Sequence, residues 1–290
     1  MSEPWRLEPL DSRWPATLAH LQQPPAWLWV WGATLPSWPA VAVVGSRRAT
    51  FGGTEIARMI GRHLGEAGVP VISGMARGID GSAHEGALEG GGTTVAVLGC
   101  GIDVCYPPQH HDLRERILAN GCLLSEEPLG TEPFKQNFPR RNRLIAALAA
   151  AVVVVEATPR SGALSTARWA ADLGREVLAV PGSIRSPQSA GTNRLIRDGA
   201  RPFLEIDDLA DAVPELGALQ GSASSPERAS PRLAPPLREI LSRMGAVPVH
   251  PDEIGAALGL SAATVASRLG ALELAGAVMS LPGGLVARND

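Results

Sequence analysis

The feature that most constrains the fold is an alternation, from Val41 onwards, of short apolar runs with segments of helical pattern. The apolar runs lie at Val41–Gly45, Val69–Ser73, Thr94–Gly99, Cys122–Ser125, Ala151–Glu156 and Glu176–Val180. Between them lie amphipathic or alanine-rich segments, among them Thr54–Glu66, Ser82–Glu89, His111–Ala119 and Leu164–Leu173. Strands that are apolar throughout and separated by helices form parallel sheets with both faces covered. The sequence therefore predicts an α/β fold built on a parallel sheet.

The residues just after each predicted strand are rich in glycine, serine and arginine. Parallel sheets bind ligands at the carboxyl ends of their strands, where helix N-termini offer unpaired N–H groups to anions. The glycines there include Gly45, Gly74, Gly78 and Gly162, which are equally compatible with plain turns. The arginines that accompany them are Arg47, Arg48, Arg77, Arg160 and Arg194. Together these residues favour an anion-binding rim.

One stretch, Phe134–Arg143, concentrates cations and aromatic rings in what we predict to be a loop. It carries two phenylalanines, the only lysine of the chain and three arginines within ten residues. Cations track phosphates and rings stack on bases of any identity, so this composition suits single-stranded nucleic acid. The alternative is a solvated basic loop whose phenylalanines pack into the core. Because the net charge of the chain is −3, binding of a polyanion must come from such a local cluster.

Several enzyme classes are excluded by motif. A Walker loop needs Gly-Lys, and the single lysine follows Phe134. The dinucleotide fingerprint, the Gly-x-Ser-x-Gly elbow and the His-Glu-x-x-His zinc helix are absent as well. Asp80 and His84 are spaced as an acid/base pair, but we prefer a helix cap and a structural hydrogen bond. We predict no catalytic residue, no metal site and no cofactor.

Three glutamates follow strands and allow two interpretations. Glu126, Glu127 and Glu156 are compatible with a metal site, but their spacing shows no convergent ligand set. We expect them instead to form ion pairs with the arginines of the rim. Of the other titratable groups, Cys100, Cys105 and Cys122 have no metal-type spacing and are expected to be core thiols, and His110 and His111 are expected at the surface.

The segment before Val41 holds most of the tryptophans. Six of the seven lie there, at Trp5, Trp14, Trp27, Trp29, Trp31 and Trp38. Alternation over 27–31 predicts a strand. We expect residues 1–40 to strap across the main domain and bury these rings, although a base-stacking platform is the alternative. No apolar run in the sequence is long enough to span a bilayer, so we predict no membrane segment and a cytoplasmic location.

The C-terminal part is expected to form a second, smaller domain. Residues 41–213 form the predicted main domain, and residues 214–236, rich in Ser, Ala, Pro and Gly, are a predicted linker. Residues 237–290 contain three helical patterns and a hairpin, which together predict a winged helix. Residues 231–290 carry five basic and five acidic side chains, so the attraction to phosphates that dominates DNA affinity is missing. We therefore predict a protein-contacting or accessory role for this domain.

The ordered motifs resemble the DNA-processing protein DprA (Smf) family over about residues 10 to 205. The matching stretches are Val-Gly-Ser-Arg up to Arg47, Ser73–Asp80 with Ala83-His84, Ala96–Pro107, Ser125–Pro128, Phe138–Arg143, Glu156-Ala157 and Gly174–Gly182. The resemblance implies an extended Rossmann-like domain that binds single-stranded DNA without sequence preference. It also implies a homodimer that delivers DNA to the RecA recombinase during natural transformation.

The resemblance also implies which residues contact DNA. With the rim described above, the predicted set is Gly45, Ser46, Arg47, Arg48, Arg77, Lys135, Phe138, Arg140, Arg141, Asn142, Arg143, Ser161 and Gly162. Phe138 would be the base-stacking ring. Many members of the family carry a separate helical N-terminal domain, whereas only the short tryptophan-rich segment precedes Val41 here. Functions of that domain are therefore not expected of this chain.

Two other functions stay open on the sequence alone. Related phosphate-binding α/β folds include nucleoside-phosphate hydrolases, in which a glutamate acts on a ribose. The Pro-Gly-Gly-x-Gly-Thr loop of such enzymes is absent, because Pro181-Gly182 is followed by Ser183-Ile184. A transcription factor led by the winged helix is the other alternative, and it predicts tighter binding to some duplex than to oligo-dT.

Overall fold

A computed structural model of the protein describes residues 3–33, 35, 39–216, 235–244, 248–274, 277–281 and 283–288. The chain divides into two compact units, residues 1–223 and residues 224–290. Most of the predicted linker, residues 217–234, lies outside the described residues, as does Trp38. Leu216 is buried in the core of the first unit, so that unit continues past the predicted boundary at residue 213.

The first unit is built on a nine-stranded sheet in the order β1-β2-β6-β5-β4-β3-β7-β8-β9. Its strands are β1 Trp5–Leu7, β2 Leu28–Gly32, β3 Val41–Val44, β4 Val71–Ser73, β5 Thr94–Leu98, β6 Cys122–Ser125, β7 Ala151–Val154, β8 Glu176–Ala179 and β9 Arg201–Pro202. Its α-helices are α1 Phe51–Glu66, α2 Ile79–Glu89, α3 His111–Asn120, α4 Asn137–Leu148, α5 Ala163–Asp172, α6 Ala190–Arg197 and α7 Asp207–Ala212. The six predicted apolar runs form β3 to β8, which are joined by parallel pairing.

The central strands are apolar on both faces because both faces are covered. Along β3, Ala42 and Val44 pack into one hydrophobic layer, whereas Val41 and Val43 pack into the layer on the opposite face. This alternation follows from the period of two in a strand. Fully burying a side chain such as valine contributes about 1.5–3 kcal/mol, so continuous apolar runs favour the central positions. The predicted α/β fold is confirmed.

The order of the strands creates a crevice beside β3. From β3 the chain proceeds through β4, β5 and β6 in one direction and then returns to place β7 on the other side of β3. Open α/β sheets bind ligands at such a switch point, outside the carboxyl ends of the strands. The turns that follow β3 and β7 therefore face a common space.

The N-terminal segment adds two strands to the edge of the same sheet. β2 pairs antiparallel with β6, and β1 pairs antiparallel with β2. The described tryptophans of this segment are partly buried, with Trp29 and Trp31 packed against one core cluster and Trp5 and Trp14 against another. The guanidinium of Arg6 lies 4.5 Å from the centre of the Trp27 ring.

The second unit has the predicted winged-helix arrangement. It contains α8 Pro235–Arg243, α9 Pro251–Leu258, α10 Ala262–Leu274 and the antiparallel hairpin β10 Val278–Leu281 with β11 Leu285–Arg288. Ser261 caps α10, since its Oγ accepts the Thr264 N–H at 3.2 Å. Within the described ranges no single helix is long and apolar enough to cross a membrane, and the one pair that passes by length and composition, Pro251–Leu258 with Ala262–Glu273, is bent by 115°.

Candidate nucleic-acid interface

A cleft of about 780 Å³ lies at the carboxyl ends of the central strands. Its walls come from the turn after β3, the turn after β4, the segment that leads into α4, and the turn after β7. Ten of the residues predicted to bind DNA line it, namely Gly45, Ser46, Arg47, Arg48, Lys135, Phe138, Arg141, Asn142, Ser161 and Gly162. Segments far apart in sequence thus meet at one site, as the Gly/Ser/Arg pattern after the strands predicts.

Phe138 forms part of the cleft wall instead of packing fully into the core. Its side chain is half-buried. The guanidinium carbon of Arg47 lies 4.8 Å from the centre of the Phe138 ring, and the Tyr106 ring lies 5.6 Å away, centre to centre, at an angle of 36°. Arg47, Lys135 and Phe138 therefore share one cleft.

Tyr106 is a cleft residue that the sequence reasoning missed. Its side chain is 36% exposed and borders both the main cleft and a smaller recess of about 30 Å³ that also contacts Arg77. The sequence did contain a signal, because Tyr106 lies within the stretch Ala96–Pro107, which resembles the family. The chain has one tyrosine, and its position beside Phe138 makes the pair a two-ring wall.

The turn after β3 presents two arginines to the cleft. The Arg48 N–H donates to Ser46 Oγ at 3.1 Å, which fixes the turn while the side chains of Arg47 and Arg48 stay exposed. Gly45 allows the close approach of this turn to the rest of the domain. A Cβ at Gly45 would lie 2.6 Å from a side-chain carbon of Ile79, closer than real Cβ contacts come.

The stretch Phe134–Arg143 is not the basic loop that we predicted. The helix α4 begins at Asn137, so the three arginines occupy different faces of a helix. Arg141 and Arg143 are buried, and Arg140 is exposed. Because a helix has about 3.6 residues per turn, neighbouring side chains cannot all face the same space.

The buried arginines are engaged within the protein. Arg141 donates to the backbone carbonyl of Gly74 at 3.0 Å and to that of Val97. Arg143 forms an ion pair with Glu126. Arg140 reaches the same carboxylate at 3.3 Å and that of Glu127 at 3.7 Å. Arg141 therefore shapes the floor of the cleft, whereas Arg140 and Arg143 lie outside its lining.

Asp80 and Arg141 form the charged floor of the cleft. Asp80 is buried and accepts the Gly74 N–H at 3.2 Å. Burial raises the pKa of Asp80, while the positive charges of Arg141 and Arg47 act in the opposite direction. Burial lowers the pKa of Arg141 to about 10, against the attraction of Asp80, so Arg141 is protonated at neutral pH. A Cβ at Gly74 would lie 2.4 Å from an Arg141 guanidinium nitrogen.

His84 is a structural histidine and not the partner of Asp80 in acid/base chemistry. It is fully buried, and its Nδ1 lies 2.6 Å from Thr94 Oγ1. The Thr94 hydroxyl donates to the Val71 carbonyl at 3.0 Å, so Nδ1 carries the proton of the neutral ring. Burial lowers the pKa of His84 to about 3. Asp80 lies in the first turn of α2, not at its N-cap.

The other predicted polar residues have mixed outcomes. Glu126 and Glu127 form ion pairs with Arg140 and Arg143 and not with the arginines of the rim that we expected. Glu156 accepts from Thr50 N–H at 2.9 Å and Thr50 Oγ1 at 2.6 Å. His110 is half-buried, with Nδ1 3.0 Å from the Met75 carbonyl, and is not the surface residue that we expected. Among the described residues no group of three or more His, Cys, Asp or Glu side chains is placed to hold a metal ion.

The exposed cations around the cleft lack ion pairs, which most arginines elsewhere in the described part of the first unit do form. Five exposed cations at or beside the cleft have no ion pair within the described residues, and they are Arg47, Arg48, Arg77, Lys135 and Arg160. Acids neutralise the arginines of other surfaces, including Arg6, Arg13, Arg58, Arg62, Arg168, Arg194, Arg197 and Arg201. Arg194, predicted as part of the rim, is thus paired. In the described part of this unit, Arg116 and Arg185 are the other exposed cations without a pair.

Comparison with known proteins gives one consistent result. The sequence model of DNA recombination-mediator protein A matches residues 6–214, and that of the DprA winged helix domain matches residues 224–284. The putative DNA processing protein DprA of Mycobacterium tuberculosis is 45% identical over 240 residues, which cover 82% of this chain and 61% of that protein. Protein Smf of Escherichia coli is 40% identical over 253 residues, covering 85% and 67%.

Solved structures agree with these sequence matches. DNA processing protein A from Streptococcus pneumoniae has a TM-score of 0.68 at 39% identity, over 71% of this chain and 73% of that one. A structure of DNA processing protein A from Helicobacter pylori, described for its single-stranded DNA binding mode, has a TM-score of 0.66 at 30% identity, over 73% and 96%. This chain spans only about three-fifths of the Mycobacterium tuberculosis relative, 61% of its length. From these matches and the fold, the chain belongs to the DNA recombination-mediator protein A (DprA) family.

Proposed function

We propose that this protein binds single-stranded DNA, without preference for sequence, in the cleft beside β3. The observation that carries the proposal is the set of five exposed cations without ion pairs around the half-buried Phe138 ring. Cations left without acidic partners attract phosphates, and a ring open to a cleft stacks on any base. The description of the Helicobacter pylori relative by its single-stranded DNA binding mode supports the same ligand.

The geometry suggests how a nucleotide would lie. Arg47, Arg48 and Lys135 would contact phosphates along the wall, and the N-terminus of α5, which follows Ser161 and Gly162, would add backbone N–H groups. Phe138 would stack on a base. None of these contacts reads the edge of a base in the manner of a bidentate side chain, so binding is expected to be independent of sequence.

The role in recombination is a further part of the proposal. We infer that the bound strand is protected and passed to the RecA recombinase during transformation by a homodimer in the cytoplasm. The family's description as a recombination mediator supports this role. It requires no catalytic residue, cofactor or metal. The winged helix would then serve an accessory or protein-contacting function, consistent with its balance of five basic and five acidic residues over 231–290.

RecA loading can be tested directly. On oligo-dT coated with single-strand binding protein, the protein is expected to shorten the lag before RecA hydrolyses ATP. The measurement is the ATPase time course with and without the protein. A lag that stays unchanged at saturating protein would contradict the loading role while leaving single-strand binding intact.

The salt dependence of binding tests the cleft itself. If five cations each neutralise one phosphate, the logarithm of affinity for labelled oligo-dT should fall with the logarithm of salt concentration at a slope of about −3.5. Arg48→Ala and Lys135→Ala should each make the slope less negative by about 0.7. Fluorescence anisotropy at several salt concentrations gives the slope.

The matched control for these variants is Arg116→Ala. Arg116 is an exposed arginine of α3 without an ion pair among the described residues, and it does not line the cleft. Its removal changes the net charge by the same amount and should leave the slope unchanged. The proposed interface would be rejected if the unaltered protein showed no measurable binding at low salt. It would also be rejected if the unaltered protein and the three variants had equal salt slopes.

A further inference from the structure

Most phenylalanine and tyrosine rings of the first unit lie outside its buried core. The chain has four phenylalanines and one tyrosine. Of these five, only Phe203 is buried in the core. Phe134 is 55% exposed, the most exposed of the set. A single exposed apolar side chain is common on soluble proteins, so the exposure of Phe134 does not by itself indicate a binding role. The relevant observation is its position relative to the cleft.

Phe134 belongs to the segment that borders the cleft, although its own side chain does not line the cleft. Its neighbours Pro133 and Lys135 both line the cleft, as does Phe138 four residues later. The backbone around it is fixed, because the Phe134 N–H donates to the Glu132 carbonyl at 3.0 Å and the Phe134 carbonyl accepts the Asn137 N–H at 3.0 Å. The structure therefore holds an exposed ring on a hydrogen-bonded turn directly beside a cation.

We propose that Phe134 is a second base-stacking residue, which takes the base next to the one on Phe138 and leads the strand out of the cleft. This inference rests on the proposed binding of single-stranded DNA. Lys135 lies between the two rings in sequence and is exposed without an ion pair among the described residues, so its ammonium group is available to the phosphate that joins the two nucleotides. A combination of aromatic rings and cations is typical of proteins that bind single strands.

The inference predicts a dependence on strand length. Phe138 lies within the cleft and contacts a base of any oligonucleotide, whereas Phe134 contributes only once the strand extends past Lys135. Phe134→Ala should therefore weaken binding of dT12 by about 5- to 150-fold. It should change the affinity for thymidine 5′-monophosphate, measured by competition with labelled dT12 on each protein, by less than about twofold. The salt slope should stay as in the unaltered protein, because no cation is removed.

Two further variants separate stacking from general apolar contact. Phe134→Leu keeps an apolar side chain without a π face and is expected to lose most of the same affinity. Leu129→Ala removes an exposed apolar side chain, 48% exposed, from the same connection between β6 and α4, and should bind as the unaltered protein does. A 2-aminopurine base within dT12 reports stacking directly, and its quenching should diminish in Phe134→Ala.

The outcomes distinguish this inference from the proposed function. If the unaltered protein binds dT12 and Phe138→Ala weakens binding, but Phe134→Ala binds every length normally, the second stacking position is wrong and the cleft stands. If Phe134→Leu binds as tightly as the unaltered protein, the residue offers apolar surface and not a stacked ring, which also overturns the inference. If no oligo-dT binds at all, the proposed function itself fails.

Discussion

Replacing Arg141 by alanine is expected to lower the free energy of unfolding of the first unit by about 3 to 5 kcal/mol, because two buried carbonyl groups lose their donor at about 1–3 kcal/mol each and the buried carboxyl group of Asp80 loses a nearby positive charge. The guanidinium is buried, and it bonds the carbonyls of Gly74 and Val97. Its charge also offsets that of the buried Asp80. Without Arg141, both carbonyls lose their partner and the carboxylate loses its counter-charge.

The loss caused by Arg141→Ala should depend on pH. Burial already raises the pKa of Asp80, and removal of Arg141 takes away an interaction that lowers it. An acid with a raised pKa in the folded state favours folding while it is protonated, and this advantage is lost as the pH rises through the folded pKa. The destabilisation should therefore be smallest at acidic pH and should grow as the pH rises above the ordinary range of a carboxyl group.

Urea unfolding followed by tryptophan fluorescence measures this effect on the correct unit, because all seven tryptophans precede residue 170 and lie in the unit of residues 1–223. Arg116→Ala is the matched control. It removes an exposed arginine and should change the stability by no more than about 0.5 kcal/mol. Equal stability of the two variants at pH 7 would contradict the role assigned to Arg141.

Replacing Phe138 by alanine should weaken binding of oligo-dT by about 1 to 3 kcal/mol, the usual contribution of one stacked base. This corresponds to about a 5- to 150-fold increase in Kd. The ring is half-buried in the cleft wall and contacts Arg47 and Tyr106. Because the variant removes no charge, the salt slope should stay unchanged.

The controls for Phe138→Ala test the ring itself. Phe138→Trp keeps an aromatic face and should retain most of the affinity, whereas Phe138→Leu should not. Thermal unfolding of each variant shows whether the cleft is still folded. A variant that binds oligo-dT as tightly as the unaltered protein at every salt concentration would remove Phe138 from the interface.

Apolar patterning was enough to predict the main sheet. The runs that become β3 to β8 are apolar throughout, and burial on both faces makes that pattern unambiguous. The position of the cleft followed from the same pattern, because the carboxyl ends of parallel strands share one edge. The two N-terminal strands were harder to place, since alternation over 27–31 predicts a strand but not its partner β6.

The prediction failed at α4, for a reason that lies in the sequence. Pro139 is compatible with this helix, because proline is tolerated in the first turn of a helix. Arg141 shares a helix face with Leu144, Ile145 and Leu148, at spacings of three, four and seven positions. That spacing predicts an arginine that faces the core. The carboxylate that accompanies it, Asp80, lies in a distant part of the sequence, and only the folded chain brings the two together.

The antiparallel N-terminal strands have a consequence for the solubility of the protein. β6 ends the parallel part of the sheet, and β2 occupies the hydrogen-bonding groups on its outer side from Cys122 to Ser125. An unoccupied apolar edge of that kind is a template on which other molecules can add strands and aggregate. The sheet instead terminates in β1, which is three residues long and too short to recruit a second chain efficiently. The tryptophan-rich segment therefore protects the molecule against self-association through this edge of its sheet.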